Sequence, residues 1–313
     1  MFLFPSRKQL ITLFLALVSL RVSYYWQSDG FSLGRIENSF PKQYELARPS
    51  EEKLSLLKTI CEQHFSYLGK GSQAYAFQSA DGKYVLKLFK SYHLKPVPWL
   101  ENLNVPAFLD TYKRFHIKRR KQRAKLALES YKITHNLIPD ECGCLFLQIV
   151  PSSYFHQPVT FTDKIGRTMT IDLAKHGFMV QKKADLLFPT IARLVQEKKM
   201  ADAKTLIHSI VNLIVVRSKK GIQDQDPDLH KNCGCIGLEA QFIDVGSFHT
   251  NEKAKNPEVY VNDLKKISRR LRLFLEGVSP ELVQALDQEL QAFAPPKQDE
   301  VLCKNPIKRD TSN

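Results

Sequence analysis

Gly69 and Gly71 in "SYLGKGSQAYAF", Lys87 in "YVLKLFK", Asn232 in "DPDLHKNCG" and Asp244 in "FIDVGSF" have types and an order that suit one chemistry. Glycine, lacking a Cβ, lets backbone N–H groups approach phosphate oxygens. A lysine on the next strand aims a positive charge at the same oxygens, and Val85 and Lys87 share a face of that strand because side chains alternate. An amide and a carboxylate presented from two adjacent short strands supply the hard oxygen ligands Mg²⁺ takes while bridging phosphates. Each has a plain structural reading, since Gly69-x-Gly71 alone also describes a hairpin tip. Together, in this order, they point to a magnesium nucleotide.

The elements that must position these residues follow from pattern. "PSEEKLSLLKTICEQHF" reads as a helix, with Ser50 as N-cap and acids in its first turn. From Phe65, aromatic and β-branched alternation, the glycine turn and Asp81-Gly82 predict a three-stranded meander. A helix over about 107–136 follows, then the strand "CLFLQIV", an inserted hairpin in "VTFTDKIGRTMTIDL" and the strand "GFMVQKKA". Residues 187–216 read as helical, with "TLIHSIVNLIVV" apolar enough to be a buried central helix. Short strands and two closing helices end the pattern. The expected organisation is a membrane anchor or signal segment at 1–26, a linker at 27–52, a β-rich lobe at 53–182, an α-rich lobe at 183–295 and a flexible tail at 296–313.

From 65 to 250 the sequence resembles the protein-kinase-like fold, as a compact, atypical member. That resemblance implies an α+β, two-lobed protein with a β-rich N-lobe and an α-rich C-lobe, binding ATP and Mg²⁺. "GKGSQAYAF" resembles the glycine-rich loop, with Gly69, Gly71, Ser72 and Ala74 over the phosphates; Lys87 resembles the strand lysine. "NCGCIGLEAQFIDVG" resembles the metal-binding Asn232 followed by the segment of Asp244, with Val245 where the family has Phe. "FMVQKKAD" resembles the hinge strand, so adenine is expected at the backbone near Met179 to Gln181. Glu129 is the implied partner of Lys87, with Glu141 a poorer choice because it lies in a loop. The family's catalytic Asp stands five residues before the asparagine, and here that position is Pro227. A one-residue insertion makes Asp226 the base that orients the acceptor hydroxyl, with Asp224 second; Asp228 stands one residue too late.

Composition bounds the rest. The 313 residues are 43% hydrophobic and 25% charged, enough to bury a sizeable core, and carry a net charge of +14. Eight Lys or Arg residues fall between Lys113 and Lys125, either a solvated helix face or an anionic docking surface. No aromatic or glycine interleaving accompanies them, which argues against a nucleic-acid partner. After Arg7 and Lys8, an apolar run ending at Tyr24-Tyr25-Trp26 reads as a short membrane anchor with Arg21 snorkelling; a cleaved secretory signal, hence export, and a buried N-terminal helix are the alternatives. Cys142-Gly-Cys144 and Cys233-Gly-Cys235 leave three readings: Zn²⁺ ligands, disulfides or buried thiols. The functional expectation is an ATP- and Mg²⁺-dependent phosphotransferase of unknown acceptor. A catalytically inactive kinase-like module and a basic membrane-attached scaffold for acidic partners are the competing expectations.

Overall fold

In this computed structural model residues 6–37, 40–91 and 101–293 are described; the expected tail at 296–313, with Cys303, lies outside them. The protein is α+β, with an apolar N-terminal helix and a mixed sheet. Its chain divides into two units, Met1–Lys183 with Val245–Phe248, and Ala184–Asp244 with His249–Asn313.

The first unit opens with α1 (Arg7–Gln27), capped by Ser6 and Gln9, which each satisfy the other's backbone N–H. None of its residues is buried. At about 1.5 Å per residue its 21 residues match the roughly 30 Å of a bilayer's hydrocarbon layer, and it is apolar enough to cross one. Complete exposure overturns the buried-helix reading, while anchor and cleaved signal pass the same test of length and composition.

β1 (His64–Lys70), β2 (Ala74–Ser79) and β3 (Tyr84–Phe89) form the expected meander, turning at Gly82 with φ of 70°. β4 (Cys144–Gln148) and β7 (Phe178–Lys182) extend it beyond β3. The hairpin of β5 (Pro158–Thr162) and β6 (Thr168–Asp172) does not stand apart as an insertion: β5 runs parallel to β1, giving one sheet ordered β4-β7-β3-β2-β1-β5-β6.

Alternation along β3 sends Leu86 and Leu88 to one face and Val85, Lys87 and Phe89 to the other. On the first face Phe65, Tyr75, Phe77, Phe178 and Val180 join a buried cluster covered by Leu57, Ile60 and Cys61 of α2 (Glu51–Cys61). Ser50 caps α2 by accepting from the Lys53 N–H at 3.3 Å. Phe31 and Ile36, from the stretch expected to be a linker, belong to the same cluster, and Phe40 and Tyr44 are buried too. The Phe31 ring meets Tyr75, Phe77 and Phe161 edge-on at 5.0, 5.6 and 5.7 Å. On the second face α3 (Ala107–Leu137) lays Tyr131 against Phe89, ring centres 4.4 Å apart.

In the second unit the stretch read as helical holds two helices, α4 (Leu187–Gln196) and α5 (Met200–Lys219). Lys198 between them has a left-handed φ of 59°, a break that Lys and Glu residues do not announce in sequence. α5 buries Leu206, Ile207, Ile210, Val211 and Ile214, as its apolar run predicts. Around it lie a three-stranded sheet of β8 (Asp185–Leu186), β10 (Cys233–Ile236) and β11 (Glu239–Phe242), the short β9 (Ile222–Asp224), the single turn α6 (Leu229–Asn232), and the closing helices α7 (Pro257–Glu276) and α8 (Pro280–Ala292).

Phe31→Ala should lower unfolding free energy by about 3–5 kcal/mol, the usual cost of emptying a packed aromatic site. Urea unfolding of the full chain in a neutral detergent measures this, and a loss under about 1 kcal/mol would make residues 27–52 peripheral.

Candidate functional site

The glycine loop joins β1 to β2. The Gly71 N–H donates to the Ala74 carbonyl at 3.0 Å, Ser72 is exposed, Ala74 is buried, and Gly69 adjoins a β-bulge. A Cβ on Gly69 would meet nothing within 4 Å and one on Gly71 only the Ala74 carbonyl at 3.9 Å; neither residue has positive φ. The fold by itself makes no demand for glycine at the loop tip. Lys90 is buried behind the tip: its ammonium donates to the Gly71 carbonyl and lies 4.4 Å from the Tyr75 ring centre. Its N–H donates to the Gln73 carbonyl at 2.8 Å. Burial, then the charges of Lys70 and Arg35, pull the Lys90 pKa down to about 8.

Gln73, at the loop tip, ties this loop to the segment after Asp244. Its Nε2 donates to the Gly246 carbonyl at 3.0 Å and its Oε1 accepts from the Tyr131 hydroxyl at 2.9 Å. A Cβ on Gly246 would overlap the Gln73 amide, so this close approach requires glycine. Ser130 of α3 fixes the same segment, donating to the Val245 carbonyl and accepting from the Phe248 N–H at 2.7 Å.

Lys87 stands half-buried between Ala76 of β2 and Met179 of β7. Glu129, its expected partner, is exposed and pairs instead with Lys125 at 3.7 Å. The reason is helical phase: α3 buries Ala124, Ala127, Leu128, Tyr131 and Thr134, and Glu129 lies across the helix from that stripe. The expected adenine contact at Met179 and Gln181 also needs correction. β7 is paired on both sides, Met179 with Lys87 and Leu147, Gln181 with Val85 and Cys144, so its backbone donors and acceptors are spent in the sheet. The Gln181 side chain is buried and donates to the Cys142 carbonyl at 2.9 Å.

Within the second unit, Asn232 and Asp244 are brought together. The Asn232 carbonyl accepts from the N–H groups of Ile243 (2.8 Å) and Asp244 (3.3 Å). The Asn232 side chain donates through Nδ2 to the Asp226 carbonyl at 2.8 Å, which leaves Oδ1 as an acceptor. Three aspartates of this loop have three environments. Asp224 faces the buried guanidinium of Arg217 at 3.5 Å and accepts from the Asp226 N–H at 2.9 Å. Asp228 caps α6 through the His230 N–H and pairs with Arg270 at 2.6 Å. The Asp226 carboxylate is exposed, without a hydrogen bond or ion pair among the described residues.

The zinc reading of Cys142, Cys144, Cys233 and Cys235 is not upheld. All four are buried, Cys142 and Cys144 in the first unit, Cys233 and Cys235 in the second. Burial pushes the Cys144 and Cys233 thiols up to about 12 and raises Cys235. Among the described residues no group of three or more His, Cys, Asp or Glu gathers as metal ligands.

No protein-family model and no curated protein matches the sequence. Solved structures do. WbdD bound to the kinase inhibitor LY294002 matches at 16% identity over 75% of this chain and 47% of that one, with a TM-score of 0.32. A second structure of WbdD, described as a bifunctional kinase-methyltransferase, gives 15% identity over 76% and 48%, with a TM-score of 0.31. Rv3197 from Mycobacterium tuberculosis, in complex with erythromycin, gives 11% identity over 85% and 75%, with a TM-score of 0.29. The chain spans about half the length of the WbdD chains it matches. Matches at this level assign no activity.

Two predictions follow from the loop. Gln73→Ala and Gly246→Ala should each destabilise the protein, and the double variant should cost less than the sum by about 0.5–3 kcal/mol, as residues sharing one contact do; strict additivity in a double-mutant cycle would disprove the link. For Lys90, the folded pKa of about 8 lies below the ordinary 10.5. The unfolded chain therefore binds more protons between these values, so this group raises stability as pH climbs from 8 to 10.5. The difference in unfolding free energy between wild type and Lys90→Met should shift in favour of wild type across that window, and a flat difference would contradict the assignment.

Proposed function

We propose that the chain is an ATP- and Mg²⁺-dependent phosphotransferase acting on a hydroxyl acceptor. The observation that carries this reading is Asn232: its side chain holds the Asp226 carbonyl while its main-chain carbonyl holds the N–H of Asp244. One residue thus links the exposed carboxylate suited to a base with the carboxylate suited to a metal.

The donor set suits Mg²⁺, which keeps several waters and takes one or two protein oxygens beside phosphate oxygens. Asn232 Oδ1 and the Asp244 carboxylate would hold it, and the ion would supply charge to neutralise the transferring phosphoryl group. Asp226 orients the acceptor hydroxyl and takes its proton, a role its solvent access and lack of a cationic partner favour over Asp224 and Asp228. Gly69 and Gly71, where the fold leaves open space above the backbone, admit phosphate oxygens to the N–H groups of the loop. Lys87 supplies the positive charge.

A second reading, a nucleotide-binding module without turnover, is favoured by the Gln73 bridge, which joins the loop tip directly to Gly246. Thermal unfolding with and without MgATP, together with ADP release, separates the two. The phosphotransferase predicts stabilisation by MgATP that Lys87→Met removes, and turnover that falls about 10²–10⁴-fold in Asp226→Asn while stabilisation persists. Stabilisation without turnover selects the binding module, and no stabilisation of the wild type ends both readings.

A further inference from the structure

The last turns of α1 are built into the first unit by cations and aromatic rings. The Arg35 guanidinium lies 5.2 Å from the Tyr25 ring centre and the Lys70 ammonium 5.6 Å from it. Arg167 donates to the Tyr24 hydroxyl at 2.6 Å and lies 5.7 Å from that ring's centre. At this junction opens a cavity of about 450 Å³, whose lining includes Arg21, Tyr24, Tyr25, Trp26, Phe31 and Arg35, and no carboxylate. Two acids nearby are engaged by other cations. Asp29 pairs with Lys70 and Lys164, both at 3.1 Å, and accepts from the Tyr67 hydroxyl; Asp163 pairs with Arg167 at 2.7 Å. Arg21 has no carboxylate partner among the described residues.

The lining itself carries two guanidinium groups and no carboxylate, and it is walled by aromatic rings. It lies where α1, exposed along its whole length, would leave a hydrocarbon layer. Tyr and Trp rings favour that level, and guanidinium is the side chain best matched to a phosphate oxyanion. We propose that this pocket binds the headgroup phosphate of an anionic phospholipid, with Arg21 and Arg35 on the phosphate and Tyr25 and Trp26 against the glycerol. Two guanidinium groups with no carboxylate in the lining disfavour a choline headgroup, so the site selects net-negative lipids rather than phosphate esters in general. This inference rests on α1 lying in a bilayer and is independent of the nucleotide reading.

Trp26 is a reporter already in the pocket, and only one other tryptophan, Trp99, needs removal by Trp99→Phe. Brominated phosphatidylglycerol and brominated phosphatidylcholine are titrated separately into the full chain in neutral detergent micelles, with Trp26 fluorescence as readout. Half-quenching should need about tenfold less phosphatidylglycerol than phosphatidylcholine. Arg21→Gln and Arg35→Gln should each reduce that preference about fivefold, and a retained thermal transition shows that each variant is folded. Inorganic phosphate should not reverse the quenching. Equal quenching by both lipids, a preference unaltered in both variants, reversal by inorganic phosphate, or no quenching at all would each overturn the proposal.

Discussion

A single buried hydroxyl, that of Ser130, holds the segment to which the glycine loop is tied. It gives its proton to the Val245 carbonyl and accepts from the Phe248 N–H, using both of its capacities across 115 and 118 residues of sequence. With 245–248 fixed, Gly246 meets Gln73, Gln73 meets the Tyr131 hydroxyl, and the Tyr131 ring meets Phe89. Phe89 precedes Lys90, whose ammonium returns to the loop at Gly71. Such a closed set of polar contacts in a low-dielectric interior tolerates little slack, because each buried group left unpaired carries its own desolvation penalty.

The second unit applies the same physics by division of labour. Burying the Arg217 guanidinium requires an anion, and Asp224 meets that need. A helix start requires an acceptor for its first N–H groups, and Asp228 serves there while also binding Arg270. Asp226 is then the one aspartate of the three whose charge is not consumed by the fold. The buried cysteines follow a related rule. In Cys142-Gly-Cys144 the glycine has φ of 57°, and in Cys233-Gly-Cys235 a Cβ on the glycine would press on the Asp185 carbonyl at 2.6 Å. The repeated pattern thus comes from two different backbone constraints and from thiols filling apolar space.

What was legible in the sequence was what local signals carry. The meander announced itself through alternation and Asp-Gly, α5 through its unbroken apolar run, and the Ser50 cap through its side chain. Asn232 and Asp244 could be placed near each other because only short strands separate them. Long-range choices were not legible. The parallel pairing of β5 with β1 depends on segments almost a hundred residues apart, and no residue in either specifies it. Glu129 was misjudged because apolar residues occur on more than one side of α3, and only packing on the sheet decides its phase. Met179 and Gln181 were misjudged because one strand's sequence does not show that both its edges are occupied. Gln73 and Ser130 carried no signal at all: an amide and a hydroxyl acquire their roles from partners more than a hundred residues away.

Because Val245–Phe248 belong to the first unit although 61 residues of the second, Ala184–Asp244, come before them, that unit is discontinuous along the chain. A ribosome delivers the chain from its N-terminus, and at about 5–20 residues per second the first unit waits several seconds between its penultimate piece and its last. During that interval Ser130 and Gln73 have no backbone to bind. A nascent chain arrested before residue 245 would therefore present an N-terminal half with an open seam, and its protease resistance would rise only once residue 248 has cleared the exit tunnel.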